Sequence, residues 1–304
     1  MNTVITIHHQ WPSPEVRLSC PDTPEQCATL VTSQCHEPES ETSEIISSFL
    51  VGCSKECLYL DIGCNLGYFA SQAAALGARA ECFEPYPVFA QAANATATLN
   101  GFGGRMKVRH AAVTVFPGLP PLSFTSTYHA CDIARDPRIM AERGFNPRVW
   151  SAPTVTIQSL LHQRTIDFLK IDIDSIEGAL LHVATMMIAA GNTTIKTMLI
   201  ELGDGSGSKT PRGGHVDDLW KLGHELGYDI YRVNIAVNRE IYDWSGVDVN
   251  TKPSAPSAAE KQAENSGSPL ATLVVPSSHT IVGRPDLPVT LKTQRTLLPV
   301  RSAP

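Results

Sequence analysis

The chain has 304 residues, 42% of them apolar, and carries 30 acidic against 24 basic side chains for a formal charge of −6 at neutral pH. That is ample for a sizeable core, and the length allows about two domains. The acidic balance, with no long basic run, excludes a general nucleic-acid surface, and no stretch reaches the roughly 18 apolar residues of a membrane-spanning helix. Met1 to Gln10 lacks the basic and apolar regions of a secretory signal, so a cytoplasmic protein with no membrane partner is expected. Nothing sets an oligomeric state. The eight cysteines (Cys20, Cys27, Cys35, Cys53, Cys57, Cys64, Cys82 and Cys131) include no C-x-x-C pair. Free thiols are therefore expected rather than a zinc site.

Residues 1–41 show no sustained period and read as an irregular extension. From Thr42 to Val51 an acidic start gives way to apolar residues, as at the head of a short helix. Leu58 to Ile62 reads as a buried strand. The spacing Asp61-x-Gly63-x-x-x-Gly67 then reads as a tight turn into an alanine-rich helix from Leu66 to Leu76. Arg79 to Phe83 is the next strand, closed by Glu84-Pro85, and a helix follows from Val88 to Leu99 with Pro87 at its first turn. Arg105 to Val115 is a third strand region. Residues 117–153 hold six prolines and scattered aromatics. A structureless loop of that length is uncommon inside a domain, so the spacing predicts a functional insertion with short elements of its own.

Thr154 to His162 gives a strand tip and a short helix, and Ile166 to Asp174 a strand ending in two carboxylates. Ile176 to Ala190 is a helix with Leu180, Leu181, Ala184, Met187 and Ile188 on one side. Lys196 to Leu202 is a strand that includes Glu201. A glycine-rich loop to Gly214, a helix from Val216 to Leu226 and a strand from Tyr228 to Val233 follow. Residues 251–269, rich in serine, alanine and proline, read as a disordered insert. Leu270 to Val275 returns as an antiparallel partner for Tyr228 to Val233, ahead of a proline-rich tail over 276–304. The main domain is expected over 42–275.

Four predicted strands thus end in carboxylates: Asp61, Glu84, Asp172 with Asp174, and Glu201. Such groups are rarely buried without partners. If the strands are parallel, the acids gather along one edge, where open α/β sheets bind ligands. The first turn departs from the dinucleotide pattern G-x-G-x-x-G, because Asn65 stands where a glycine must let backbone approach a pyrophosphate. A turn headed by a carboxylate suits a cationic or neutral ligand, which favours S-adenosylmethionine over NAD. Glu84 is placed to accept from both ribose hydroxyls. Asp61, Gly63, Asn65, Gly67 and Glu84 are the candidates for cofactor binding, with Asn65 also read as a helix N-cap.

Tyr59-Leu-Asp-Ile-Gly-Cys-Asn-Leu-Gly-Tyr-Phe69, Cys82-Phe-Glu-Pro85 and Phe168-Leu-Lys-Ile-Asp172 together resemble the FkbM-type S-adenosylmethionine-dependent methyltransferases, over roughly residues 55–240. The family's glutamate-glycine pair comes late here, as Glu177-Gly178 after Ile173-Asp-Ser-Ile. The resemblance implies an α/β fold, doubly wound, with a mostly parallel seven-stranded sheet of the Rossmann-like class I methyltransferase type and helices on both faces. It also implies S-adenosylmethionine as cofactor and methylation of a hydroxyl oxygen, here on a small molecule or glycan.

A hydroxyl is a weak nucleophile, so a general base or a metal would assist. Asp172, Asp174 and Glu201 are the catalytic candidates. Paired carboxylates could also hold magnesium, although no metal ligand set is assigned. Asp174-Ser-Ile-Glu177 equally fits a capping box. Lys170, inside a strand, is expected to pair with an acid. Tyr128, His129 and His215 fall in predicted loops, Tyr68 and Phe69 in the core, and Phe83 and Tyr86 flank Glu84 near an adenine. The alternatives are an NAD-dependent oxidoreductase and a non-catalytic cofactor-binding protein on the same fold. Against the oxidoreductase stand the missing second glycine and the lack of an evident tyrosine–lysine pair.

Overall fold

A computed structural model describes residues 3–7, 15–20, 40–127, 130–132, 148–173, 176–201, 214–234 and 270–276. In chain order the elements begin with β1 (Thr3–Ile7), β2 (Val16–Cys20), α1 (Ser40–Leu50), β3 (Leu58–Ile62) and α2 (Tyr68–Ala75). Then come β4 (Arg79–Glu84), α3 (Pro87–Leu99), β5 (Met106–His110), β6 (Ala112–Thr114), β7 (Leu122–Thr127), β8 (Ala130–Asp132) and β9 (Arg148–Ala152). The chain continues through β10 (Thr154–Thr156), α4 (Ile157–Leu161), β11 (Thr165–Ile166), β12 (Phe168–Ile171), α5 (Glu177–Ala189), β13 (Thr194–Ile195) and β14 (Met198–Glu201). The last elements are α6 (Gly214–His224), β15 (Tyr228–Asn234) and β16 (Leu270–Pro276).

The central sheet has the order β15-β16-β14-β12-β3-β4-β5. Its five strands from β14 to β5 are parallel, while β16 lies antiparallel between β14 and β15. Numbered along the chain, the strands run 3-2-1-4-5-7-6, whereas a dinucleotide-binding sheet runs 3-2-1-4-5-6. The final strand inserts next to the fifth, and its antiparallel pairing with Tyr228 to Val233 is the one expected.

Alternation along the strands explains the two cores. Leu58, Leu60 and Ile62 of β3 face the same side as Leu169 and Ile171 of β12, and pack with Leu160, Leu161, Leu180, Leu181 and Leu222 from α4, α5 and α6. Tyr59 and Phe168 face the other side, with Ile46 of α1, Phe69 and Ala73 of α2 and Ala93 of α3. Every residue of β3 is buried, as a parallel strand covered on both faces should be. Asp61 and Lys170 lie on the α2 face by the same alternation, directly paired in register.

One expectation changes. Within the segment read as irregular, β1 and β2 pair antiparallel, and Val16 and Leu18 are fully buried. The Ser19 amide donates to Thr96 Oγ1 of α3 at 2.9 Å, so β2 is held by tertiary contacts that its own composition does not announce. The insertion over 117–153 contains a three-stranded antiparallel sheet ordered β8-β7-β9. The glycine-rich loop, residues 235–269 and the tail lie outside the described residues.

Candidate functional site

The order of the strands reverses between β3 and β12, because β3 leads on to β4 at one side while β12 leads on to β14 at the other. Ligands of open α/β sheets bind beyond the carboxyl ends of the strands at such a switch point. Asp61, Lys170 and Asp172 stand there.

The turn after β3 is fixed by backbone. The N–H groups of Gly63 and Cys64 both donate to Phe83 O, at 2.9 and 3.2 Å, and the Asp172 amide donates to Ile62 O at 3.0 Å. Gly63 adopts φ +83°, and a Cβ there would lie 1.8 Å from Asp172 O. Only glycine lets β3 turn this close to the end of β12. Gly67 (φ +78°) occupies the N-cap position of α2, which has no side-chain cap. The reading of Asn65 as the cap is therefore corrected. Asn65 sits at φ +50°, and its backbone N–H donates to Glu84 Oε2 at 2.8 Å.

Glu84 is almost fully buried, and its other oxygen accepts from the Tyr86 amide at 2.8 Å. One carboxylate thus ties the turn after β3 to the turn after β4. Burial pushes Glu84 up to about 7, and the nearby carboxylates of Asp61 and Asp172 add to the shift, against the two amides that favour its ionised form. Cys64 and Cys82 form a disulfide across the same two elements, and Cys53 and Cys57 form a second. Cys20 is also disulfide-bonded. The expectation of free thiols is corrected. Register β3–β4 brings the Cys64 and Cys82 Cα atoms to 5.7 Å, inside the range a disulfide spans.

Asp61 is completely buried, and neither carboxylate oxygen has a hydrogen-bond partner of ordinary length among the described residues. Its nearest cation is Lys170 Nζ, 3.9 Å from Oδ1. Burial pushes Asp61 up to about 6. Lys170 opposes the shift, the Asp172 charge adds to it, and the Tyr59 hydroxyl and Ala70 amide offset part of it. Lys170 Nζ also donates to Asp172 Oδ2 at 2.7 Å and lies 5.3 Å over the Phe69 ring. The pairing of Lys170 with an acid is as predicted. Asp172 is partly open to solvent.

Glu201 ends β14, one strand beyond Asp172, and is half-buried. Asp174 lies outside the described residues, as do Tyr128 and His129. His215 is in α6. The N-cap of α5 is Ile176 without a side-chain cap, while Glu177 Oε1 accepts from the Ile173 amide at 3.1 Å. Tyr68 and Phe69 are buried in the core as expected. Phe83 is buried, as are Asp61 and Glu84. Tyr86 begins an aromatic row, edge-on to Phe89 at 4.8 Å and 5.0 Å from Trp150, which stacks on Phe124 at 4.4 Å. The Trp150 indole N–H is buried with no hydrogen-bond partner among the described residues. Trp150 was not among the sequence candidates. Its only sequence signal is an aromatic inside an insertion, and its approach to Tyr86 depends on the insertion's sheet.

No family model matches this chain, and no curated protein matches it. The likeness to FkbM-type enzymes therefore rests on the quoted motifs. Solved structures of similar fold include the SAM-dependent methyltransferase from Agrobacterium tumefaciens, with 10% identity, 90% of this chain and 70% of that chain covered, and a TM-score of 0.43. The O-methyltransferase from Bacillus cereus in complex with SAH shows 12% identity over 84% of this chain and 92% of that chain, with a TM-score of 0.41. Human methyltransferase 10 domain containing protein shows 9% identity over 84% and 95%, with a TM-score of 0.41. At such values the activities of those proteins do not transfer to this chain.

Proposed function

We propose that this chain is an S-adenosylmethionine-dependent methyltransferase acting on a hydroxyl oxygen of a small molecule or glycan. The observation that carries the reading is the charge pattern at the switch point. Asp61 and Asp172 share one lysine, Glu84 has no cation within ion-pair distance among the described residues, and Asp61, the most buried of the three, has no hydrogen-bond partner of ordinary length among them. Buried charge without compensation is costly, so the edge suits a cationic ligand. A dinucleotide would instead bring two further negative charges to it, which disfavours the oxidoreductase alternative.

The residues fit the cofactor. S-adenosylmethionine, when bound, supplies an electrophilic methyl group on a sulfonium. Asp61 would face its positive end, the turn from Gly63 through Asn65 to Gly67 would lie against it, and Glu84 would accept from its ribose hydroxyls beyond its own two backbone bonds. Asp172, with Oδ2 committed to Lys170, would take the proton of the acceptor hydroxyl at Oδ1. The cofactor would supply the methyl group, its carbon–sulfur bond breaking as the carbon–oxygen bond forms and leaving S-adenosylhomocysteine. Glu201 and Asp174 are further proposed acids of the acceptor side. Much of the acceleration comes from alignment of acceptor and methyl group.

The disulfides favour an oxidising compartment over the expected cytoplasmic location. Among the described residues no helix is long and apolar enough to cross a membrane.

The test is calorimetric titration with S-adenosylhomocysteine, with NAD as control, repeated on Asp61→Ala. Saturable binding of the first ligand alone, lost in the variant, is expected. Binding of NAD instead, or none by folded wild type, contradicts the reading. Binding without turnover on any hydroxylated acceptor would favour the non-catalytic alternative.

A further inference from the structure

Lys170 is the one cation within ion-pair distance of the acids at the switch point among the described residues, and two registers put it there. It precedes by two residues Asp172, which follows directly on β12, so both side chains leave the same face, and it is the cross-strand partner of Asp61. Only about 5% of it is exposed, which is unusual for a lysine unless it is paired. With Asp172 Oδ2 at 2.7 Å and Asp61 Oδ1 at 3.9 Å, its amine is held as an ammonium. It is therefore no candidate for a proton acceptor.

Its charge has a consequence for methyl transfer. A sulfonium carries a positive charge before reaction and none after it, so that charge is fading in the transition state. An edge of unopposed carboxylates would hold the sulfonium most tightly before reaction and resist the loss. Only interactions stronger in the transition state than in the ground state speed the step. An ammonium among the acids reduces the ground-state attraction while it keeps the acids ionised and oriented.

We infer that Lys170 is a positioning residue that sets the charge preference of this site, lowering its bias for a sulfonium ligand over the neutral thioether. The inference rests on the cofactor reading above. The experiment compares dissociation constants for S-adenosylmethionine and S-adenosylhomocysteine on wild type, Lys170→Met, Lys170→Arg and Asp172→Asn.

The ratio of the homocysteine constant to the methionine constant should rise about tenfold in Lys170→Met, the order expected for one partly screened charge at short range. It should stay within about twofold of wild type in Lys170→Arg and fall in Asp172→Asn, which shifts the charge the other way. A merely structural lysine would change both constants together and leave the ratio alone. An unchanged or lowered ratio in Lys170→Met overturns the inference. Should that variant not fold, a ratio that fails to fall in Asp172→Asn overturns it instead. Wild type that is folded but binds neither ligand overturns the cofactor reading itself, a result distinct from binding with a fixed ratio.

Discussion

The two ends of the central sheet treat charge in opposite ways. At the amino end Asp167 accepts from Lys196 Nζ at 2.6 Å and from the Leu58 amide at 2.7 Å, while Glu81 meets Arg164 at 2.9 Å and Arg79 at 4.0 Å. Two acids there have three cations. At the carboxyl end, among the described residues, Asp61 and Asp172 share Lys170 and Glu84 has no cation within ion-pair distance. The first arrangement has its charges met within the fold. The second has not, although Asp61 and Glu84 are deeper, and a ligand is the natural source of the missing positive charge. Carboxylates at strand ends therefore mark a site only where the fold leaves them unmatched.

The sharpest way to break the contrast is Gly63→Ala. Its Cβ would collide with Asp172 O at 1.8 Å from a left-handed backbone, so the turn must move away from β12. Loss of ligand binding and a stability loss of at least about 2–3 kcal/mol are expected, read by calorimetry and denaturant melts. Removing the Cys64–Cys82 bridge with paired serine substitutions should cost about 3 kcal/mol, given a sequence separation of 18, and should weaken ligand binding because the bridge ties the turn to β4. At the other end of the sheet, Asp167→Ala should cost roughly 1–3 kcal/mol by stranding the Leu58 amide. It should leave ligand affinity unchanged; an equal loss of affinity would erase the distinction between the two ends. Smallest of all, Arg164→Met should cost about 1 kcal/mol or less, since its pair with Glu81 is partly solvated.

A pH series sharpens the same comparison. Asp61 and Glu84 are raised in the folded state to about 6 and about 7. The folded protein therefore holds protons that the unfolded chain has released, and this contribution is full below about pH 4 and lost as pH rises through those values. For these two groups, ligand-free protein should gain stability as pH drops from 8 to 5. Asp61→Asn should flatten part of that slope, and a slope unaffected by it would contradict the assignment.

Much of this was legible in the sequence. Leu58 to Ile62, the Asp61–Gly67 turn and Glu84 announce themselves because buried parallel strands are continuous apolar runs and because glycine marks tight turns. The return of Leu270 to Val275 was also readable, as apolar residues after a stretch with no packing pattern. Other features depend on register and tertiary contact, which composition does not encode. The Cys64–Cys82 bridge needs β3 and β4 in their exact pairing. The burial of β2 needs α3 beside it. Trp150 reaches Tyr86 only once β7 and β9 have paired. Asn65 looked like a helix cap because its type suits one, yet Gly67 takes that position and Asn65 contributes its backbone instead.

If the carboxyl edge takes its missing positive charge from a ligand, binding must shift the protonation of its acids. Titration with S-adenosylmethionine near pH 6.5, in two buffers of different ionisation enthalpy, counts the protons exchanged on binding. A cationic ligand seated among Asp61, Glu84 and Asp172 should drive protons off Asp61 and Glu84, so net proton release is predicted. Binding with no proton exchange, or with proton uptake, would contradict it.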